Sequence, residues 1–212
     1  MLYSNFEKRD TGGIISKFYR KLNMFLYRFK GIRPDIMIKL FSTFCCDFYD
    51  AHICYLDSDG LDDICKAWRK GIRKVLGLPP RTHNNLLPEL TNTLPLRVSL
   101  EKRFSKMACR AVNSDNHVVK NLFLSSCHRN SVVSKNLSHC MVKYHISWFM
   151  LVHFAPNPLG NIISRNYFLN VDDNCKQHAS FIKELCMIRY GYWTCNLSFD
   201  EVQTLLEDVC VS

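Results

Sequence analysis

The chain has 212 residues, 47% hydrophobic and 22% charged, with a mean hydropathy of −0.11 and a formal net charge of +9. That apolar content excludes a wholly disordered chain, because enough surface can be buried to offset chain entropy. The longest apolar run, Trp148-Phe149-Met150-Leu151-Val152, falls far short of the ~20 residues a bilayer-spanning helix needs, so no membrane partner is expected.

Ile14 to Lys30 reads as a helix, with Ile14, Ile15, Phe18, Leu22, Phe25, Leu26 and Phe29 on one face and Lys17, Lys21 and Arg28 on another flank. Gly31 stops it and Pro34 opens a second helix, to about Tyr49, that buries Met37, Leu40, Phe41, Phe44, Cys45 and Phe48. The third helix has the strongest pattern. Ser58 or Asp59 caps it, Asp62 and Asp63 lie in its first turn, and Gly77 with Pro79-Pro80 ends it. Leu61, Ile64, Cys65, Trp68, Ile72, Val75 and Leu76 share one arc, while Lys66, Arg69, Lys70, Arg73 and Lys74 occupy the opposite one. Acid at the start and base at the end also suit the helix dipole.

A further helix runs from Pro95 to Val112, with Leu96, Leu100, Phe104, Met107 and Ala108 inward and Arg103, Lys106 and Arg110 outward. Residues 113–172 are rich in Asn, Ser and His and contain the turn-like Ala155-Pro156-Asn157-Pro158-Leu159-Gly160. They read as a linker or partly ordered segment with one short helix near Val118–Leu124. Two helices close the chain. Cys175–Tyr190 carries Phe181, Ile182, Leu185 and Ile188, and Ser198-Phe199-Asp200-Glu201 is a capping box ahead of Val202, Leu205, Leu206 and Val209. The expectation is an all-α protein: a helical bundle over 1–112, a linker over 113–172 and a helical pair over 173–212.

Charge is unevenly distributed. Residues 1–110 hold 20 Lys/Arg against 11 Asp/Glu, residues 111–165 hold 5 against 1, and residues 166–212 hold 3 against 7. A basic body points to a polyanionic partner, most simply nucleic acid, or to a solvated basic surface. The N-terminal segment has mixed charge and no apolar stretch, so an intracellular chain, cytoplasmic or nuclear, without a signal peptide is expected. Eleven cysteines at irregular intervals read as core thiols in a reducing compartment. Cys127, His128, His139, Cys140, Cys175, His178, Cys186 and Cys195 lack the paired knuckle spacing of structural zinc sites, so no metal is assigned. No Gly-rich phosphate loop, nucleophile elbow or His-Glu-x-x-His is present, and no cofactor or small-molecule substrate is expected. Phosphate binding needs long cationic side chains held at a spacing that tracks a backbone, and the basic arc extended by Arg81 and His83 has that form.

Trp68-Arg69-Lys70-Gly71-Ile72-Arg73-Lys74-Val75-Leu76-Gly77-Leu78-Pro79-Pro80-Arg81-Thr82-His83-Asn84 resembles the stretch downstream of the polymerase palm in reverse transcriptases of non-LTR retrotransposons of the LINE and Jockey type. There a Trp-Arg-Lys helix runs into Gly-Leu-Pro and then Arg-Thr-His. Leu22 to Phe29 and Leu40 to Tyr49 look like thumb helices of the same family, and Lys183 to Gly191 is similar to the ends of such polyproteins. Tyr49-Asp50 and Cys54 depart from the Tyr-Gly and Trp usual in the family. Asn170-Val171-Asp172-Asp173 lacks the aromatic residue of the Tyr-x-Asp-Asp turn and is not read as catalytic. The resemblance implies a thumb-like bundle that holds RNA or an RNA–DNA duplex, weakly when isolated. It also implies no catalysis, the catalytic aspartates belonging to a palm upstream of this chain. Lys66, Arg69, Lys70, Arg73, Lys74, Arg81 and His83 are the candidate nucleic-acid contacts. A helical protein-interaction domain and an inert translated remnant of a mobile element are the alternatives.

Overall fold

A computed structural model describes residues 2–46, 48, 55–189 and 199–211. Among them the chain is all-α, with eleven helices and no strand. The helices are α1 (Leu2–Arg28), α2 (Pro34–Phe44), α3 (Asp59–Leu76), α4 (Leu86–Thr91), α5 (Leu96–Val112), α6 (His117–His128), α7 (Val132–Tyr144), α8 (Trp148–His153), α9 (Pro156–Leu169), α10 (Asp173–Arg189) and α11 (Phe199–Val211). None is long and apolar enough to cross a membrane among the described residues.

Two compact units form. One comprises Met1–Asp47, Asp63–Thr93 and Val171–Ser212; the other comprises Phe48–Asp62 and Leu94–Asn170. These two units replace the bundle, linker and helical pair expected from composition. The helix at 96–112 packs with the residues that follow it, and α10 packs on α4.

In the first unit, α1 runs through Gly12 and Gly13 and starts well before Ile14. It buries Phe18, Leu22 and Phe25, and the two phenylalanine rings meet Phe41 of α2 edge-on at centroid distances of 6.1 Å for Phe18 and 6.3 Å for Phe25. Edge-to-face geometry at this range is the favoured aromatic arrangement. Phe44, expected inward, is 55% exposed at the end of α2, where its ring stacks on Phe29. All seven apolar residues assigned to the inner arc of α3 are buried. Gly71 lies where α3 meets the aromatic cluster: a Cβ there would sit 2.7 Å from Phe18 Cζ and 3.2 Å from Phe41 Cζ. Gly77, at φ +62°, adopts the left-handed conformation that terminates α3. The α10 face carries Ala179, Ile182, Leu185 and Cys186 inward, whereas Phe181 is 42% exposed. Ser198, the proposed cap of α11, and Tyr49 lie outside the described residues.

In the second unit, the stretch expected as a linker with one short helix forms the four helices α6–α9, packed around α5, and the helix expected near Val118–Leu124 lies within α6. The polar residues that read as loop signals are their caps. Asn116 accepts from the Val118 amide, Ser131 from the Ser134 amide and Ser147 from the Met150 amide. Pro156 opens α9 at a position where its missing N–H costs nothing. Leu96, Leu100, Phe104, Ala108 and Val112 of α5 form the spine of this core, with Leu137, Leu151, Leu159 and Ile163 also buried; Met107 is only half-buried. A buried carboxylate lies in the same core. Glu101, fully buried, accepts from His139 Nε2 at 2.9 Å, from Lys143 Nζ at 2.8 Å and from the Tyr144 hydroxyl.

Adding a methyl group at Gly71 overpacks the Phe18–Phe41 contact. Gly71→Ala is therefore expected to cost ~1–3 kcal/mol and Trp68→Ala ~3–5 kcal/mol, in urea unfolding followed by far-ultraviolet circular dichroism. A Gly71→Ala protein as stable as its parent would contradict this packing.

Candidate nucleic-acid interface

The site is built on α3 because that helix has one face wholly buried and the opposite one wet. Ser58 Oγ accepts from the Leu61 amide at 3.3 Å, capping the helix start, and Asp62 in the first turn pairs with Arg97. Burial of Ile64, Trp68, Ile72 and Val75 fixes the rotation of the helix about its axis, so residues 66, 69, 70 and 74 emerge on the outside.

The seven expected contacts separate into groups. Lys70 and Arg81 are exposed and Arg69 is half-buried, and among the described residues none of the three makes an ion pair. Lys74 is exposed with its ammonium 5.9 Å from the Tyr19 ring centroid, a cation–π contact with α1. Lys66 pairs with Asp63 at 2.8 Å, both well exposed, which at such a site leaves it exchangeable with other anions. His83 is exposed on the loop after α3.

Arg73 differs from the rest. Its Nη2 donates to the Thr82 carbonyl at 2.6 Å and to Asn84 Oδ1 at 2.8 Å, so it ties the end of α3 to the Pro79–Asn84 loop. Burial first, and the neighbouring Arg69 charge second, lower its guanidinium from the ordinary arginine range. Thr82, itself buried, closes the turn by donating to the Pro79 carbonyl at 2.7 Å. Arg73 is thus a positioning residue that sets Arg81 and His83 beside the helix end.

Other polar features of the molecule have different characters. A cleft of about 480 Å³ in the same unit has Ile38, Leu76 and Leu90 among its lining, but its rim mixes signs: Arg33 is paired bidentately with Asp35, and Lys183 adjoins Glu184. With Lys39 also in the lining, three cations face two carboxylates, so it is far more nearly balanced than the outer face of α3. The Glu101 cluster went unread in the sequence; its only trace is the i, i+4 spacing of His139 and Lys143 on one face of a helix. Burial pushes the adjacent Cys140 thiol up to about 12, and Cys45 in the other unit to about 11, so neither is a nucleophile near neutral pH. Burial and the Glu101 charge raise the Tyr144 phenol, which keeps it a donor. No group of three or more His, Cys, Asp or Glu able to hold a metal ion occurs among the described residues, and Cys195 lies outside them.

No family model, curated protein or solved structure matches the chain.

The division between positioning and free cations is measurable. Arg73→Gln is expected to cost about 2 kcal/mol, because charged hydrogen bonds from a part-buried group are lost. Lys70→Gln should stay within about 0.5 kcal/mol of the parent, as surface changes do. Equal stabilities for the two variants in denaturant titration would contradict the role given to Arg73.

Proposed function

We propose that the unit carrying α3 holds a nucleic-acid duplex against the outer face of that helix, as a non-catalytic, thumb-like piece of a reverse-transcriptase-type polymerase. The observation that carries the reading is the set Arg69, Lys70, Lys74 and Arg81, without an ion pair among the described residues and backed by a helix face that is entirely buried. The likeness of residues 68–84 to retrotransposon reverse transcriptases supports the same reading. Rigid backing matters because phosphate contacts are productive when the cations need not be ordered on binding.

The span supports the reading in magnitude as well. Lys66 to Lys74 covers about 12 Å of helix at 1.5 Å per residue. One strand presents a phosphate every ~3.4 Å of axis, so three or four phosphates face this stretch. Lys66 exchanges Asp63 for phosphate in the complex, and Arg81 adds a contact beyond the helix end. Such binding is sequence-tolerant, because backbone contacts carry no base information.

With the Arg81 contact added to the three or four along the helix, four to five released counterions correspond to a slope of about −4 in log K against log salt. The full chain with Arg69, Lys70, Lys74 and Arg81 all replaced by Gln is expected to flatten that slope by roughly one unit per lost contact on an RNA–DNA hybrid duplex. Gln preserves helix propensity, so helicity should be unchanged. Matching affinity and salt slope for variant and parent would leave α3 as a solvated face and end the assignment.

A further inference from the structure

The solvent face of α1 is a second cationic surface, and it differs in kind from α3 because it carries an aromatic ring. At 100° per residue, Lys17, Arg20, Met24, Tyr27 and Arg28 fall within an arc of about 100°, opposite the buried Phe18, Leu22 and Phe25. Tyr27 is 87% exposed and Met24 51% exposed. Lys17, Arg20 and Arg28 are exposed and make no ion pair among the described residues. No Asp or Glu occurs anywhere between residues 11 and 34.

A lone exposed aromatic is ordinary, and so is a solvated charge face. Solvated faces, however, usually intersperse both signs. Here a fully presented phenol ring is flanked by three unneutralised cations on a helix whose other side is fixed in a core. That combination matches what an unpaired nucleic-acid strand requires: cations along the backbone and a π-face for a base. Stacked bases inside a duplex have no free π-face, so the ring distinguishes single strand from duplex interior where cations alone do not. An anionic lipid surface fits less well, since the apolar side of α1 is turned into the protein and leaves only Tyr27 and Met24 to insert.

We propose that the outer face of α1 binds single-stranded nucleic acid, with Tyr27 as the base-stacking platform and Lys17, Arg20 and Arg28 as phosphate contacts. The proposal rests on the nucleic-acid reading of α3 only for the class of ligand. The Lys74–Tyr19 contact places the cationic edge of α3 beside the flank of α1 that carries Tyr19, within one unit. An unpaired strand on α1 would be continuous with a duplex on α3.

The test uses the full chain and two fluorescent probes, an oligouridylate of about 15 nucleotides and a blunt RNA–DNA duplex of the same length. Tyr27→Ala is expected to weaken the single strand about tenfold, Tyr27→Phe to retain parental affinity, and both to bind the blunt duplex like the parent. The ring's exposure means that neither change disturbs the core. Single-strand affinity that is the same for Tyr27→Ala as for the parent overturns the proposal. So does a parent chain that binds phosphatidylserine vesicles and not the oligouridylate. The α3 variant with four Gln replacements separates the two readings. If it loses the duplex while Tyr27→Ala keeps the single strand, α3 stands and α1 falls. If it keeps the duplex while Tyr27→Ala loses the single strand, α1 stands and α3 falls.

Discussion

The approach of α3 to Phe18 and Phe41 at Gly71 is the constraint from which the basic surface follows. A glycine is disfavoured inside a helix by about 1 kcal/mol relative to alanine. Here its missing Cβ admits two aromatic rings that any other residue would displace. With the rings seated, Trp68, Ile72 and Val75 fall into the core and the rotation of α3 is set. The outward direction of Lys66, Arg69, Lys70 and Lys74 is then a consequence of packing on the far side. Rigid presentation of cations and burial of apolar surface are, on this helix, one event.

The second unit rests on a different device. Glu101 is a charge without solvent, and its desolvation is offset only because His139, Lys143 and Tyr144 converge on its two oxygens. All three donors come from α7 and the acceptor from α5, so the cluster fixes the register of one helix against the other. Asn136, also buried and one turn earlier on α7, accepts from the Leu56 amide at 2.9 Å and anchors the segment before α3. These polar contacts are satisfied, in keeping with the general requirement for buried groups.

The third helix was legible from sequence because three independent signals agree there: apolar periodicity, an acidic first turn, and the Gly77-Pro79-Pro80 stop. Of residues 113–172 only the short helix near Val118–Leu124 was legible, and it lies within α6; the rest was not, for a physical reason. Asn116, Ser131 and Ser147 cap helices, and the same residue types mark loops when periodicity is weak. Of α6, only Phe123 is buried, so little in its apolar pattern marks the full extent to His128. Its partner surface lies on α5 and α7, which sequence spacing does not reveal. Gly12 and Gly13 hid the early start of α1 in the same way. The edges of apolar arcs also escaped: Phe44 and Phe181 lie on helical faces of the right period yet remain exposed, because periodicity locates the centre of a stripe and not its width. Within the site, charge was legible and its use was not. Arg73 turns back on Thr82 and Asn84, acceptors 9 and 11 residues away that only the folded turn brings into reach.

The central claim is that the outer face of α3 meets nucleic acid, and lysine acylation read by mass spectrometry, with and without saturating RNA–DNA duplex, tests it on the unaltered chain. Protection should fall on Lys70 and Lys74, while exposed lysines of the other unit, Lys120 and Lys135, should label equally in both conditions. Equal labelling of Lys70 and Lys74 with and without bound duplex would contradict the account, wherever else the duplex proved to bind.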